Sequence, residues 1–171
     1  MKGLILAGGT GTRLMPMTKY INKHLLPVYD KPMIFYPLSL LYLSGINEIC
    51  IVCNENDENK FKILLDEYSD NISIKYCIQK GPVGIPDAIL SANKFLGDDG
   101  FAVVLGDNLI YGDSIPALIR NGISDTSSGN ISCFSYAVND PERFGILSRD
   151  NNFNPIDIIE KPKKFISNEA L

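Results

Sequence analysis

The first stretch able to do chemistry is Gly8-Gly9-Thr10-Gly11-Thr12-Arg13, which follows the apolar run Gly3-Leu4-Ile5-Leu6-Ala7. Glycines let backbone N–H groups come close to an anion, and the Arg13 guanidinium is a fixed fork of donors suited to phosphate oxygens. Neither common phosphate-binding fingerprint fits. Counting from Gly9, Leu14 stands where a dinucleotide-binding turn needs its third glycine, and no Gly-Lys-Ser/Thr follows as in a P-loop. Cys50 and Cys53 have the spacing of a zinc knuckle. They lie, however, in Glu48–Cys53, which reads as a buried strand, where an odd separation sends side chains to opposite faces. With Cys77 and Cys133 they read as small apolar fillers kept reduced, without a shared metal.

The elements that position these residues follow a regular order. Strand-like runs at Lys2–Ala7, Glu48–Val52, Ile72–Ile78 and Phe101–Leu105 alternate with helical patterns at Met33–Leu43, Asp57–Tyr68 and Asp87–Leu96. In the last pattern Ile85, Ala88, Ile89, Ala92, Phe95 and Leu96 recur at the spacing of one buried helix face. This βαβα order with near-continuous apolar strands predicts an α/β fold, a doubly wound, Rossmann-like and mostly parallel sheet covered by helices on both faces. Ligands of such sheets gather beyond the carboxyl ends of the strands, which is where the Gly8–Arg13 loop and Asp107 fall.

Beyond Asp107 the pattern changes. A helix is expected at Ser114–Asn121, capped by Asp113 or Ser114 with Pro116 in its first turn. Extra strands follow at Asn130–Val138, Phe144–Ser148 and Ile156–Glu160, with Asp150-Asn151-Asn152 as a hairpin turn. From Lys163 to Leu171 neither a helix-stop signal nor a closing strand is visible, so the expectation is one domain over 1–171, truncated at its C-terminus.

Composition excludes several function classes. The chain has 171 residues, 45% hydrophobic and 21% charged, with a mean hydropathy of +0.04, which rules out disordered and collagen-like readings. Sixteen Lys and Arg stand against 20 Asp and Glu, giving a net charge of −4 with no basic block, which argues against a nucleic-acid partner. No window approaches the roughly 20 apolar residues that span a bilayer. The amino terminus lacks the apolar length of a signal peptide, so a cytoplasmic protein with no membrane partner is expected.

The motif Gly-Gly-x-Gly-Thr-Arg-Leu-x-Pro from Gly8 to Pro16 is followed by Lys23-His24-Leu25-Leu26-Pro27, Asp30-Lys31-Pro32-Met33 and Tyr36-Pro37-Leu38. Then come Leu105-Gly106-Asp107-Asn108, Asn139-Asp140-Pro141-Glu142-Arg143-Phe144-Gly145 and Glu160-Lys161-Pro162. In this order, over essentially the whole chain, these blocks resemble the sugar-1-phosphate nucleotidyltransferases that make NDP-sugars, their thymidylyltransferase branch above all. The resemblance implies in-line transfer of a nucleotidyl group from dTTP to glucose 1-phosphate, giving dTDP-glucose and pyrophosphate, with Mg²⁺ as cofactor. It also implies a homo-oligomer serving nucleotide-sugar and polysaccharide biosynthesis. The alternative from a different class is a module that binds nucleotide or sugar phosphate without catalysis.

Roles follow residue by residue from the same resemblance. Arg13, Lys23 and Asp107 are the catalytic candidates, with Asp107, a hard oxygen ligand, holding the metal. Gly8, Gly9, Thr10, Gly11, Thr12 and Arg13 would hold the triphosphate; Gln79 and Gly84 would meet the pyrimidine edge, with Asn108 beside the metal ligand. An amide such as that of Gln79 can pair with both N3–H and a carbonyl of thymine or uracil. Gly145, Glu160 and Lys161 would take the sugar phosphate.

Plainer readings stand beside these. Lys23 could be a solvated charge, Asp107 a cap or turn former, Glu160 and Lys161 an exposed pair, and His24, which stands where the family usually has Gln, a surface histidine. Two further departures from the family pattern are Gly84-Ile85-Pro86-Asp87-Ala88 in place of Gly-x-Ala-Gln-Ala, which alters the helix start beside the base site, and Phe144 in place of Tyr.

Overall fold

Strand β1 (Lys2–Leu6) is apolar from Gly3 onward and buried on both faces, with Leu4 and Leu6 turned to one cluster, Ile5 and the following Ala7 to the other. It belongs to the first of two compact units, Met1–Ser124 and Asp125–Leu171, of the computed structural model, which describes all residues except Ser69, Pro82, Ser127 and Ser128. After β1 the chain makes a short antiparallel ribbon, β2 (Pro27–Val28) with β3 (Lys31–Pro32), and enters α1 (Phe35–Leu43). Then follow β4 (Glu48–Cys53), α2 (Glu55–Leu65), β5 (Ser73–Ile78), α3 (Ile85–Ser91), α4 (Asn93–Leu96), β6 (Phe101–Leu105) and α5 (Ile115–Asp125). The four long strands form one parallel sheet in the order β5-β4-β1-β6, as the βαβα reading expects.

Helices cover both faces. On one, Leu38 and Leu41 of α1 and Phe61 and Leu65 of α2 pack on Ile5, Ile49 and Ile51; on the other, Ala88, Ala92 and Leu96 pack on Leu4, Leu6, Cys50 and Val52. Cys50 and Cys53 therefore do face opposite sides, both fully buried, and burial pushes the Cys53 thiol up to about 12. Glu55, Asp57 and Glu58 in the first turn of α2 complement its dipole.

Two helices depart from expectation. The single helix foreseen at Asp87–Leu96 is interrupted at Ala92, which leaves helical geometry (ψ 7°) and serves as the end of α3 and the start of α4. The helix foreseen at Ser114–Asn121 runs on to Asp125 as α5.

The second unit is an antiparallel sheet of β7 (Tyr136–Ala137), β8 (Gly145–Arg149), β9 (Pro155–Glu160) and β10 (Glu169–Ala170), ordered β7-β10-β8-β9. The β8–β9 hairpin closes where expected, its turn held by the Asp150 carboxylate, which accepts from the N–H groups of Asn152 and Asn154. Of the strand expected over Asn130–Val138, the stretch Tyr136–Ala137 forms β7, which lies opposite β10. The stretch after Lys163 does contain a strand, β10, which pairs with both β7 and β8; two residues are too few to show an alternating pattern.

Candidate active site

β1 and β6 are neighbours with Leu6 opposite Leu105, so the segments leaving their carboxyl ends start side by side, joined by the Gly106 N–H donating to the Leu6 carbonyl at 2.9 Å. From β1 emerges the glycine loop. Gly11 takes a left-handed conformation (φ 62°) and starts the short 3₁₀ turn Thr12–Leu14, while its carbonyl accepts from the Thr18 hydroxyl at 2.7 Å. A side chain at Gly11 would also meet Thr18 Cγ2 at 2.9 Å, so the loop is closed down onto this residue. Thr10, Thr12 and Arg13 are exposed, and Arg13 forms no ion pair among the described residues.

Lys23 lies along this loop, its Nζ 3.8 Å from where a Gly9 side chain would begin, and forms an ion pair with Asp107. Burial opposes ionisation of Asp107, but the hydrogen bond and charge of Lys23 outweigh it, and the carboxyl sits below its ordinary range. Lys23 and Asp107 are thus brought together at the mouth of the glycine loop, and Asp107 lies in the turn after β6 rather than capping a helix. Asn108 follows it on the surface, its N–H bound to the Leu105 carbonyl.

Beneath the pair is a network that pattern reading missed. Asn22 donates to the Ala7 carbonyl and to Asp57 Oδ2, and its own Oδ1 accepts from the His24 N–H and faces His24 Nδ1 at 2.7 Å. His24 is not a surface histidine: it is 1% exposed, and its Nε2 has no hydrogen-bond partner among the described residues. Burial, and then the charge of Lys23, bring it down to about 4 against the opposing pull of Asp107 and Asp57, so the ring is neutral near pH 7. Its edge fills the space over Gly106, where a Cβ would come within 2.6 Å of His24 Cδ2 and 2.9 Å of the Leu6 carbonyl. The sequence signal was the glycine placed directly before Asp107.

On the other side of the sheet's carboxyl end, Gln79 follows β5 and is buried, with Gly8 at its oxygen and Gly84 and Asp87 at its nitrogen. Gly84 takes φ 123°, a conformation that side chains rarely adopt, and its carbonyl accepts from Gln79. In the second unit Gly145 lies opposite Glu160 in the β8–β9 register, a Gly145 side chain would meet Glu160 Oε2 at 3.3 Å, and Lys161 pairs with Glu160 at 2.7 Å. Lys161 itself is left-handed (φ 46°), and its N–H donates to the Phe144 carbonyl.

Among the described residues no group of three or more His, Cys, Asp and Glu is poised to hold a metal. One carboxylate beside a glycine loop is nonetheless a suitable donor for a hard cation that takes most of its ligands from a bound anion and water. No helix among the described residues is long and apolar enough to cross a membrane.

A parallel sheet with a glycine loop, a lysine and an aspartate at its carboxyl end defines a class. The chain belongs to the nucleotidyl transferase family, whose model matches residues 2–170. Within that family it is 46% identical over 165 residues to the glucose-1-phosphate thymidylyltransferase of Neisseria meningitidis serogroup A, an alignment covering 96% of this chain and 57% of that protein. To the enzyme of the same name from Xanthomonas campestris it is 44% identical, covering 99% of this chain and again 57% of the relative. This chain therefore spans a little over half the length of these relatives. Among solved structures, a Bacillus anthracis candidate glucose-1-phosphate thymidylyltransferase in complex with a sucrose superposes with a TM-score of 0.89 at 36% identity, over 100% of this chain and 68% of that one. UDP-glucose pyrophosphorylase from Acinetobacter baumannii gives 0.81 at 26% identity, over 99% and 71%.

Proposed function

We propose that this chain carries out, or forms the corresponding part of a protein that carries out, thymidylyl transfer from dTTP to glucose 1-phosphate, releasing pyrophosphate. The observation that carries this reading is the Lys23–Asp107 pair set at the mouth of the Gly8–Arg13 loop, beyond two adjacent parallel strands.

A phosphate oxygen of glucose 1-phosphate attacks the α-phosphorus in line, forming the new P–O bond as the bond to pyrophosphate breaks. Such a reaction needs positioning and charge neutralisation rather than a covalent nucleophile. The N–H groups of Gly8 to Thr12 and the Arg13 guanidinium hold the triphosphate and stabilise the departing pyrophosphate. Lys23, already lying along the loop, offsets charge on the phosphates. Asp107 would hold Mg²⁺, whose charge would draw density from the phosphate oxygens. Gln79 and Gly84 meet the pyrimidine, while Gly145, Glu160 and Lys161 take the sugar phosphate. The neutral His24 acts as packing against Gly106 rather than as a base. The protein so read is a cytoplasmic homo-oligomer that supplies a nucleotide sugar for polysaccharide synthesis.

Pyrophosphate release from dTTP, with and without glucose 1-phosphate, tests the reading. Release that needs both substrates and Mg²⁺ supports it. Tight dTTP binding without release would favour a non-catalytic binding module, consistent with the lone carboxylate.

A further inference from the structure

Gln79 is 7% exposed, and its carboxamide nitrogen reaches two partners, the Gly84 carbonyl at 3.1 Å and Asp87 Oδ2 at 2.9 Å. Both partners can only accept, so the orientation of the amide is forced: nitrogen toward the start of α3, oxygen toward Gly8. There Oε1 lies 2.8 Å from where a Gly8 side chain would begin. The amide has two hydrogens, and both are used. The two-point pairing with thymine or uracil open to a free glutamine is therefore closed here, and Gln79 can offer a ligand an acceptor only.

Resting on the reading of Gln79 as a base contact, we infer that Asp87 is a positioning residue that fixes Gln79 as an acceptor and thereby selects thymine or uracil over cytosine. Thymine and uracil carry a hydrogen on ring N3, which an acceptor receives. Cytosine carries a lone pair at the same place, which an acceptor repels. The residue at 87 supplies the second restraint beside the Gly84 carbonyl: the Gln of the family pattern can present either end of its amide to Gln79, whereas a carboxylate can present only oxygen. Asp87 needs no contact with the nucleotide to set this preference.

The test is equilibrium binding of dTTP, dCTP and N3-methyl-dTTP to the full chain and to Asp87→Asn, Asp87→Glu and Gln79→Ala. One buried hydrogen bond exchanged for a repulsion corresponds to a preference of about tenfold to a hundredfold, so the wild type is expected to favour dTTP over both other nucleotides by that ratio. Asp87→Asn, able to donate as well as accept, leaves the Gly84 carbonyl as the one group holding the Gln79 amide nitrogen and lowers the dTTP-to-dCTP ratio. Asp87→Glu, still an acceptor only, keeps the ratio even where overall affinity falls. A general loss of stability weakens all three nucleotides together and leaves the ratios alone. Retention of the wild-type ratio in Asp87→Asn, or its loss in Asp87→Glu, overturns the role of Asp87 while leaving Gln79 in place if Gln79→Ala weakens dTTP. If Gln79→Ala changes no affinity, the underlying reading of the base site falls, and the inference with it.

Discussion

β4 and β9 are both six-residue strands, yet they live in opposite environments. In Glu48–Cys53 every residue after the first is buried, whereas in Pro155–Glu160 every residue is exposed, Ile156 and Ile158 included. The two central strands of the first unit, β1 and β4, are packed between helices on both faces, so both are apolar and buried after their first residue. The antiparallel unit keeps its order through backbone pairing and the β8–β9 hairpin, with Ile146, Leu147 and Ala170 buried and ion pairs such as Arg149–Glu169 at its surface. A candidate residue thus inherits different support by location: Asp107 and Gln79 rest on a packed core, Glu160 and Lys161 on an exposed strand end.

The largest effect that sharpens this contrast comes from the centre of the first core. Phe61 is fully buried against Ile5, Ile49 and Ile51. Phe61→Ala is expected to lower the unfolding free energy by about 3–5 kcal/mol through lost transfer energy and an unfilled cavity. Chemical denaturation followed by circular dichroism measures this. A loss below about 1 kcal/mol would mean that the sheet is not held by this face.

Next comes pH. His24 falls from 6.5 to about 4 in the folded chain, so the unfolded chain binds the extra proton first as pH drops. Stability from this residue is complete above 6.5 and is lost as pH falls toward 4, by on the order of 3 kcal/mol. Asp107 and Asp57, held below 3.8, add a further loss at lower pH still, because their contribution disappears only as they protonate. His24→Gln should flatten the slope between pH 6.5 and 4. An unchanged slope in denaturation series at several pH values would contradict the neutral, buried histidine.

The smallest effect is expected in the second unit. Arg149 and Glu169 pair at 2.8 Å on the surface, where such pairs contribute little and are screened by salt. Glu169→Gln should leave the melting temperature nearly unmoved, and the small remaining difference should vanish in high salt. A large salt-insensitive drop would show that the antiparallel unit leans on this pair more than its exposure suggests.

How much of this was legible in the sequence depended on the range of the interactions. The apolar runs of β1, β4, β5 and β6 and the turn residues around Asp150 are local signals, and they marked the parallel sheet and the β8–β9 hairpin correctly. The opposite faces of Cys50 and Cys53 followed from strand geometry alone. The burial of His24 did not, because it depends on Asn22 folding its side chain back and on Gly106, far along the chain, leaving room for the ring. The break at Ala92 was hidden since both halves of the helix present apolar residues to one cluster. Motif order pointed to Gln79, but its fixed amide required knowing where Asp87 lies in three dimensions.

The most direct test of the central claim is calorimetric titration of dTTP into this chain and into Asp107→Asn, each with and without Mg²⁺. The account predicts that Mg²⁺ strengthens binding to the wild type about tenfold or more and has little effect on Asp107→Asn, which still folds because the substitution preserves shape, its melting temperature falling only by what the Lys23 ion pair contributes. Equal Mg²⁺ dependence in both proteins would contradict it, and Asp107 would then be only the ion-pair partner of Lys23.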